Sequence, residues 1–255
     1  MMISSRFKVA AKAATMHFSL SVLVALIAAG LVFGLWFPGA YRDMAGGTEL
    51  FLLIVIVDIV CGPLLTLVLY NPAKSKRELF LDLGLVALVQ MAALLYGLWT
   101  LWDVRPLYVP HEYDRFKVVS LNDLRGADTG MLPQALQTGF FKGPQLVGLR
   151  QPKDGDERNK VLFAALSGGA DYGERPDFYI PFEGEAAGKT LARSKAVKDF
   201  VLRYPDQKAA VEKIAADSKQ TVDQMRYLPI RSRNNWIAVL TPAGQIAGFV
   251  PGDGF

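Results

Sequence analysis

The chain has 255 residues, 51% of them hydrophobic, and a formal net charge of +4. That charge is evenly spread, with 7 Lys/Arg against 5 Asp/Glu in residues 1–102 and 21 against 19 in residues 103–255, so no dense basic cluster marks a nucleic-acid-binding surface. The single cysteine, Cys61, excludes an intramolecular disulfide, and with only two histidines beside it a structural zinc site is not expected.

The apolar residues gather in the first hundred positions, in three runs at 18–37, 50–70 and 79–102. Each has the roughly 20 residues that carry a helix across ~30 Å of hydrocarbon, where a helix satisfies its own backbone. The first run reads as a retained span rather than a cleaved signal peptide. It is longer than a typical signal core, and it ends in Trp36, Phe37 and Pro38 instead of a small-residue cleavage site. Arg6, Lys8 and Lys12 precede it, and Lys74, Lys76 and Arg77 fill the second loop, whereas the first loop holds only Arg42 with Asp43 and Glu49. Positive flanks stay inside. The expected layout is a cytoplasmic N-terminus (1–17), a three-helix membrane region (18–102) and an external domain (103–255). Trp36, Tyr41, Tyr96, Trp99 and Trp102 are expected at the outer interface.

Three polar residues interrupt the second and third spans. Asp58 lies near the middle of the second, where a carboxylate costs at least ~2.5–3.5 kcal/mol on insertion scales; Asp82 and Gln90 lie in the third. With Lys74 at the centre of the hairpin loop, Asp58 stands level with Gln90 and Thr66 level with Asp82, so both pairs are expected to meet. Gly62, on the Asp58 face, would permit close approach, and Pro63 would loosen the backbone beside it. The set reads as a hydrogen-bonded clasp or as a proton or ion relay; three helices leave little room for a transport path, which favours the clasp. Gly30 and Gly34 form a G-x-x-x-G that would suit helix packing.

Beyond residue 102, Pro106 to Pro110 is extended, 115–120 has strand character, and 122–137 reads as a short helix plus loop. Strand candidates follow at 145–150 and 161–166, the second also compatible with helix, and at 178–182, an edge strand because of Pro181. Helices are expected over 188–204, stopping before Pro205, and from a cap at Asp206 to about 218. Residues 236–240 and 245–250 flank a Thr-Pro-Ala-Gly turn, a hairpin signal. The expected fold is a membrane protein with three N-terminal transmembrane α-helices followed by an α+β domain with a small, mainly antiparallel sheet. No G-x-S-x-G, Walker loop or H-E-x-x-H occurs, so no catalytic, cofactor-binding or metal residue is assigned and no cofactor is expected. His111-Glu112-Tyr113-Asp114 reads as a solvated junction, Asp154-Gly-Asp156 lacks the later ligands of an EF-hand, and Tyr172, Tyr179 and Tyr204 are equally compatible with core or binding roles.

The pieces Asp58-Ile-Val-Cys-Gly-Pro-Leu-Leu-Thr66, Tyr70-Asn-Pro-Ala-Lys74, Leu81-Asp82-Leu, Gln90, Ala93-Leu-Leu-Tyr-Gly97, Arg105-Pro-Leu-Tyr108 and Asp114-Arg-Phe-Lys-Val-Val119 stand in an order and spacing that resembles the type IV pilin accessory protein family, the TfpX/TfpZ group with its FimB- and TfpB-like relatives. The resemblance spans roughly residues 15–120. It implies a periplasmic placement for the outer domain and an inner-membrane location in a Gram-negative bacterium. It further implies a non-enzymatic, chaperone-like role in type IV pilus biogenesis and hence in twitching motility. The implied partners are the major pilin, other pilus-assembly proteins and the lipid bilayer. Its candidate residues are Asp58, Gly62, Pro63, Thr66, Asp82 and Gln90 in the membrane and Arg105, Pro106, Asp114 and Phe116 beside it. The alternative is an envelope enzyme that modifies pilin or a lipid-linked sugar, against which stand the few spans and the lack of paired acidic residues on a membrane-surface loop. A proton-linked membrane component would rest on Asp58 alone.

Overall fold

The computed structural model describes residues 2–127, Gly130 and 132–255. Helix α1 (Met2–Leu31) runs into a π-helical turn, Val32–Trp36, and a short α2 (Tyr41–Met44) follows. Helix α3 (Gly47–Ile56), a second π turn (Val57–Cys61) and α4 (Gly62–Leu69) form one continuous rod, and α5 (Lys76–Val104) completes the set. The stretches Arg6–Trp36, Gly47–Leu69 and Lys76–Val104 are long and apolar enough to cross a membrane, and they carry large exposed side chains such as Leu26, Ile27, Leu53, Val68 and Phe80. A lipid surround is what such surfaces require, and the pattern fits a multi-pass membrane protein.

The chain divides into two compact units. One runs up to Leu35 and resumes over Gly47–Asp103; the other combines Trp36–Gly46 with Val104–Phe255. In the first, α1 lies along α4, Phe33 meets Phe51 edge to face at 5.0 Å, and Gly97 lets α5 close on Ile54, where a Cβ would come within 2.6 Å of the isoleucine side chain.

The second unit is built on an open, mixed sheet. Its strands are β1 (Pro106–Glu112), β2 (Arg115–Lys117), β3 (Val119–Ser120), β4 (Gln145–Leu149), β5 (Tyr179–Pro181), β6 (Lys195–Ala196), β7 (Arg226–Arg231), β8 (Trp236–Leu240) and β9 (Ile246–Pro251). They run in the order β5-β4-β1-β2-β7-β8-β9, with β3 on β1 and β6 on β7. The β1–β4 and β2–β7 pairs are parallel and the others antiparallel. Helices α6 (Gly155–Leu166), α7 (Glu185–Arg193), α8 (Val197–Arg203) and α9 (Lys208–Asp217) join them.

Alternation along β7 and β8 makes two apolar faces. Tyr227, Ile237 and Val239 face one way and pack with Val197 and Phe200 of α8 and Val211 and Ala215 of α9. Leu228, Ile230, Ala238 and Leu240 face the other way, and what covers them comes from between the first two spans: Met44, fully buried, with Ala40 and Tyr41 beside it. Asn234 fastens this segment through bonds to the carbonyls of Met44 (3.3 Å) and Asp43 (2.7 Å). Gly46, at φ +76°, turns the chain back toward α3 with Arg233 packed where a side chain would stand. A third cluster joins β1, β4 and β5 with Leu124, Leu132 and Leu136.

Several expectations are revised. Residues 161–166 are helical within α6, and Asp154 is its N-cap, accepting from the Glu157 N–H at 2.8 Å. The 188–204 helix is two helices, because at 195–196 the chain leaves the helical path to pair with Tyr227 and Arg226 of β7. Asp206 lies in a 3₁₀ turn, Pro205–Gln207, without a capping bond to α9. Of 122–137, Asn122–Leu124 and Gln134–Leu136 are 3₁₀ turns, and positions 128, 129 and 131 lie outside the described residues. Trp36 is buried, and Tyr41 packs on Phe249 at 5.3 Å, which holds its hydroxyl above the ordinary tyrosine range through desolvation.

If Met44 completes this core, Met44→Ala should destabilise the second unit by roughly 2–5 kcal/mol, read as a lower thermal midpoint and faster proteolysis of the purified full chain. Arg42→Ala, at an exposed position of the same short helix, should leave both unchanged.

Candidate functional site

The intramembrane cluster is organised by an interruption of the backbone. In the π turn Val57–Cys61 each carbonyl looks to the fifth residue along, and for Asp58 that residue is Pro63, which has no N–H. The i+5 position therefore offers this carbonyl no donor. Gln90 of α5 supplies one, its Nε2 lying 2.9 Å from the Asp58 carbonyl oxygen. Gly62 makes the approach possible, since a Cβ there would overlap the Gln90 amide.

Asp58 and Gln90 thus meet as expected, but through the Asp58 backbone rather than its carboxylate. Asp58 Oδ1 and Gln90 Oε1 are buried and find no partner among the described residues. The expected Thr66–Asp82 pair does not form. Thr66 Oγ1 lies 2.6 Å from His17 Nδ1 of α1, and Asp82 takes Lys74 Nζ at 2.5 Å; the helix α1 and the loop lysine reach these side chains first. His17 and Ser21 border a cavity of about 120 Å³ with Asp58 and Gln90. Sequence reading missed both: His17 fell just before the first span, drawn from residue 18, and Ser21 lay inside it as a small polar residue among apolar ones. The available signal was the i, i+4 spacing of two polar residues on one helix face.

The juxtamembrane residues belong to the second unit and form no single site. Arg105 is buried, donates to the Gly139 carbonyl at 3.2 Å, and is pulled down to about 10 by desolvation. Pro106 opens β1, Asp114 is exposed in the turn to β2, and Phe116 is buried against the cluster that contains Met44.

His111 and Glu112 are not a solvated junction. Both are buried, and with Tyr113, Arg115, Asp171 and Arg193 they border a cavity of about 600 Å³. Its carboxylates are engaged in holding the fold. Glu112 accepts from the Gly173 N–H (3.0 Å) and Arg115 (3.1 Å), and Lys117 pairs with Glu174 (2.7 Å) and Asp171 (3.5 Å). Arg193 stacks over the Tyr113 ring at 4.0 Å. Desolvation pushes His111 down to about 4, against the opposing pull of Asp114. The three tyrosines left open by the sequence serve structure: Tyr172 donates to the Arg150 carbonyl, Tyr179 to the Gly173 carbonyl (2.6 Å), and the Tyr204 hydroxyl accepts from the Asp253 N–H (3.3 Å).

Comparison with known proteins bears on the whole arrangement. The profile of the fimbrial assembly protein FimB family matches residues 5–46, the first span and the segment that enters the sheet. The serogroup I fimbrial assembly protein of Dichelobacter nodosus is 32% identical over 260 residues, covering 100% of this chain and 99% of the relative. The serogroup E1 protein of that organism is 33% identical over 265 residues with the same coverage. The protein of serogroups C1 and C2 is 40% identical over 123 residues, 48% of this chain and 94% of its own length. No solved structure matches.

Two outcomes test the geometry. Gly62→Ala should expel the Gln90 amide and strand the Asp58 carbonyl, lowering thermal stability in detergent by about 1–3 kcal/mol; Gly84→Ala, where a Cβ meets nothing within 4 Å, should be neutral or mildly stabilising. His111 has a folded-state value below its ordinary 6.5, so on acidification the unfolded chain takes up the proton first. Its stabilising contribution is complete above about 6.5 and is lost as pH falls toward about 4. Denaturation across this window should show the loss, and His111→Leu should flatten it.

Proposed function

The chain belongs to the FimB family of fimbrial assembly proteins, and from that premise we propose that it is a non-enzymatic, chaperone-like accessory factor that assists assembly or stability of the major type IV pilin from the bacterial inner membrane. The observation that carries this reading is the full-length match, which takes in all three spans and the outer unit together. A role in fimbrial biogenesis follows from the family. The finer reading rests on how this chain is built.

The segment between the first two spans and the chain after the third belong to one compact unit, which supports an odd number of crossings and a single side for both. The basic residues Arg6, Lys8, Lys12, Lys74, Lys76 and Arg77 flank the opposite ends of the spans, which supports a cytoplasmic N-terminus and a periplasmic outer unit. A client with one helix in the bilayer and a periplasmic head would meet both parts of such a molecule. The Asp58–Gly62–Gln90 junction supports the clasp reading, because the Gln90 amide donates to backbone rather than to the Asp58 carboxylate. The engaged carboxylates of the outer cavity support a scaffold rather than acid–base chemistry.

A deletion strain tests this. Pilin should still be made, with unchanged intact mass, while surface fimbriae fall. Normal fimbriation would refute the assembly role, and an altered pilin mass would point to an enzyme.

A further inference from the structure

Residues 139–142 form an aromatic turn on the second unit. Phe140 and Phe141 are 45% and 76% exposed, and their rings lie 5.0 Å apart, so they form one apolar patch. Its position is set by two bonds. Trp36 donates its indole N–H to the Phe140 carbonyl at 3.3 Å and meets the Phe140 ring edge to face at 5.5 Å. Arg105 donates to the Gly139 carbonyl at 3.2 Å. Trp36 is the last residue of the first candidate span, and Arg105 follows Val104, the last residue of the third. The turn is thus bonded to the residue that ends the first candidate span and to the one just past the end of the third.

We infer that this turn dips Phe140 and Phe141 into the bilayer interface beside the outer unit, as a membrane anchor that does not span. Aromatic rings are favoured at that depth, and an exposed apolar patch continuous with span ends fits a lipid surface. The backbone is prepared for a water-poor setting. The Gly139 carbonyl accepts from Arg105 and from the Lys142 N–H (3.2 Å), and the Phe140 carbonyl accepts from Trp36, so the tip surrenders few bonds to water on insertion.

Because Cys61 is the only cysteine, a full-length Cys61→Ala, Phe141→Cys protein can carry one environment-sensitive fluorophore. It is reconstituted into nanodiscs of phosphatidylethanolamine and phosphatidylglycerol, with or without lipid bearing a nitroxide quencher near the headgroup. The reference is the same dye at Leu202→Cys, a position 80% exposed on α8. The dye at 141 should emit to the blue of the reference and lose intensity with the quencher lipid. Water-like emission that ignores the quencher would overturn the inference. So would a blue shift without lipid quenching, which would mean that a second copy or another protein covers the turn. Position 141 is outside the core, and a Lys142→Cys reporter, next along the turn, guards against a local effect of the substitution. The deletion strain addresses the fimbrial role separately, so the two proposals fail independently.

Discussion

The outer unit depends on one piece of buried apolar surface that its own C-terminal chain does not supply. The strands β7 and β8 present two hydrophobic faces, and the helices α8 and α9, which precede them in sequence, cover one. The other is covered in part by Ala40, Tyr41 and Met44, carried in on the short segment between the first and second spans, with Phe182 beside them. Burial of apolar area is the main favourable term in folding, so the sheet is incomplete until that segment arrives. The two ends of the segment lead directly into spans. The profile match over residues 5–46 covers this device together with the first span.

Within the membrane the governing constraint is backbone satisfaction. Hydrocarbon offers no water to a stranded carbonyl. At Asp58 a π turn followed by Pro63 leaves the i+5 position without an N–H, and a glutamine from another helix donates to the carbonyl. Gly62 belongs to the same arrangement as the gap through which the amide reaches. Glycine, proline and glutamine thus have one shared explanation, and the Asp58 side chain remains outside it. That carboxylate, with His17 and Ser21 around the adjoining cavity, is the polar group of the bundle whose presence packing does not explain.

Much of the fold was legible beforehand, for identifiable reasons. The three spans declared themselves by apolar length, and the β8–β9 hairpin by two β-prone runs around a Pro/Gly turn. The central strand β7 escaped notice because Pro229 sits within it. It is tolerated because the edge opposite β8 is shared by β6, which pairs with residues 226–227, and β2, which pairs with 230–231, leaving Pro229 between the two. The break between α7 and α8 was invisible for a related reason: strand pairing with β7 overrode local helical preference. At the candidate site the level of Asp58 and Gln90 was readable from the hairpin, but the atoms that bond were not.

By itself, then, the sequence determined what depends on neighbours along the chain: three helices of membrane length, an asymmetry of charge between their flanks, and an α+β domain after them. Tertiary structure decided which groups complete one another. It sent Met44 into a sheet formed more than sixty residues later, gave Thr66 to His17 and Asp82 to Lys74, and buried His111 and Glu112 beneath a turn that reads as solvated. The physical reason is that apolar length and charge accumulate along a segment. Hydrogen bonds and core contacts are instead settled by whichever group reaches a site first through space, and no local pattern records that competition.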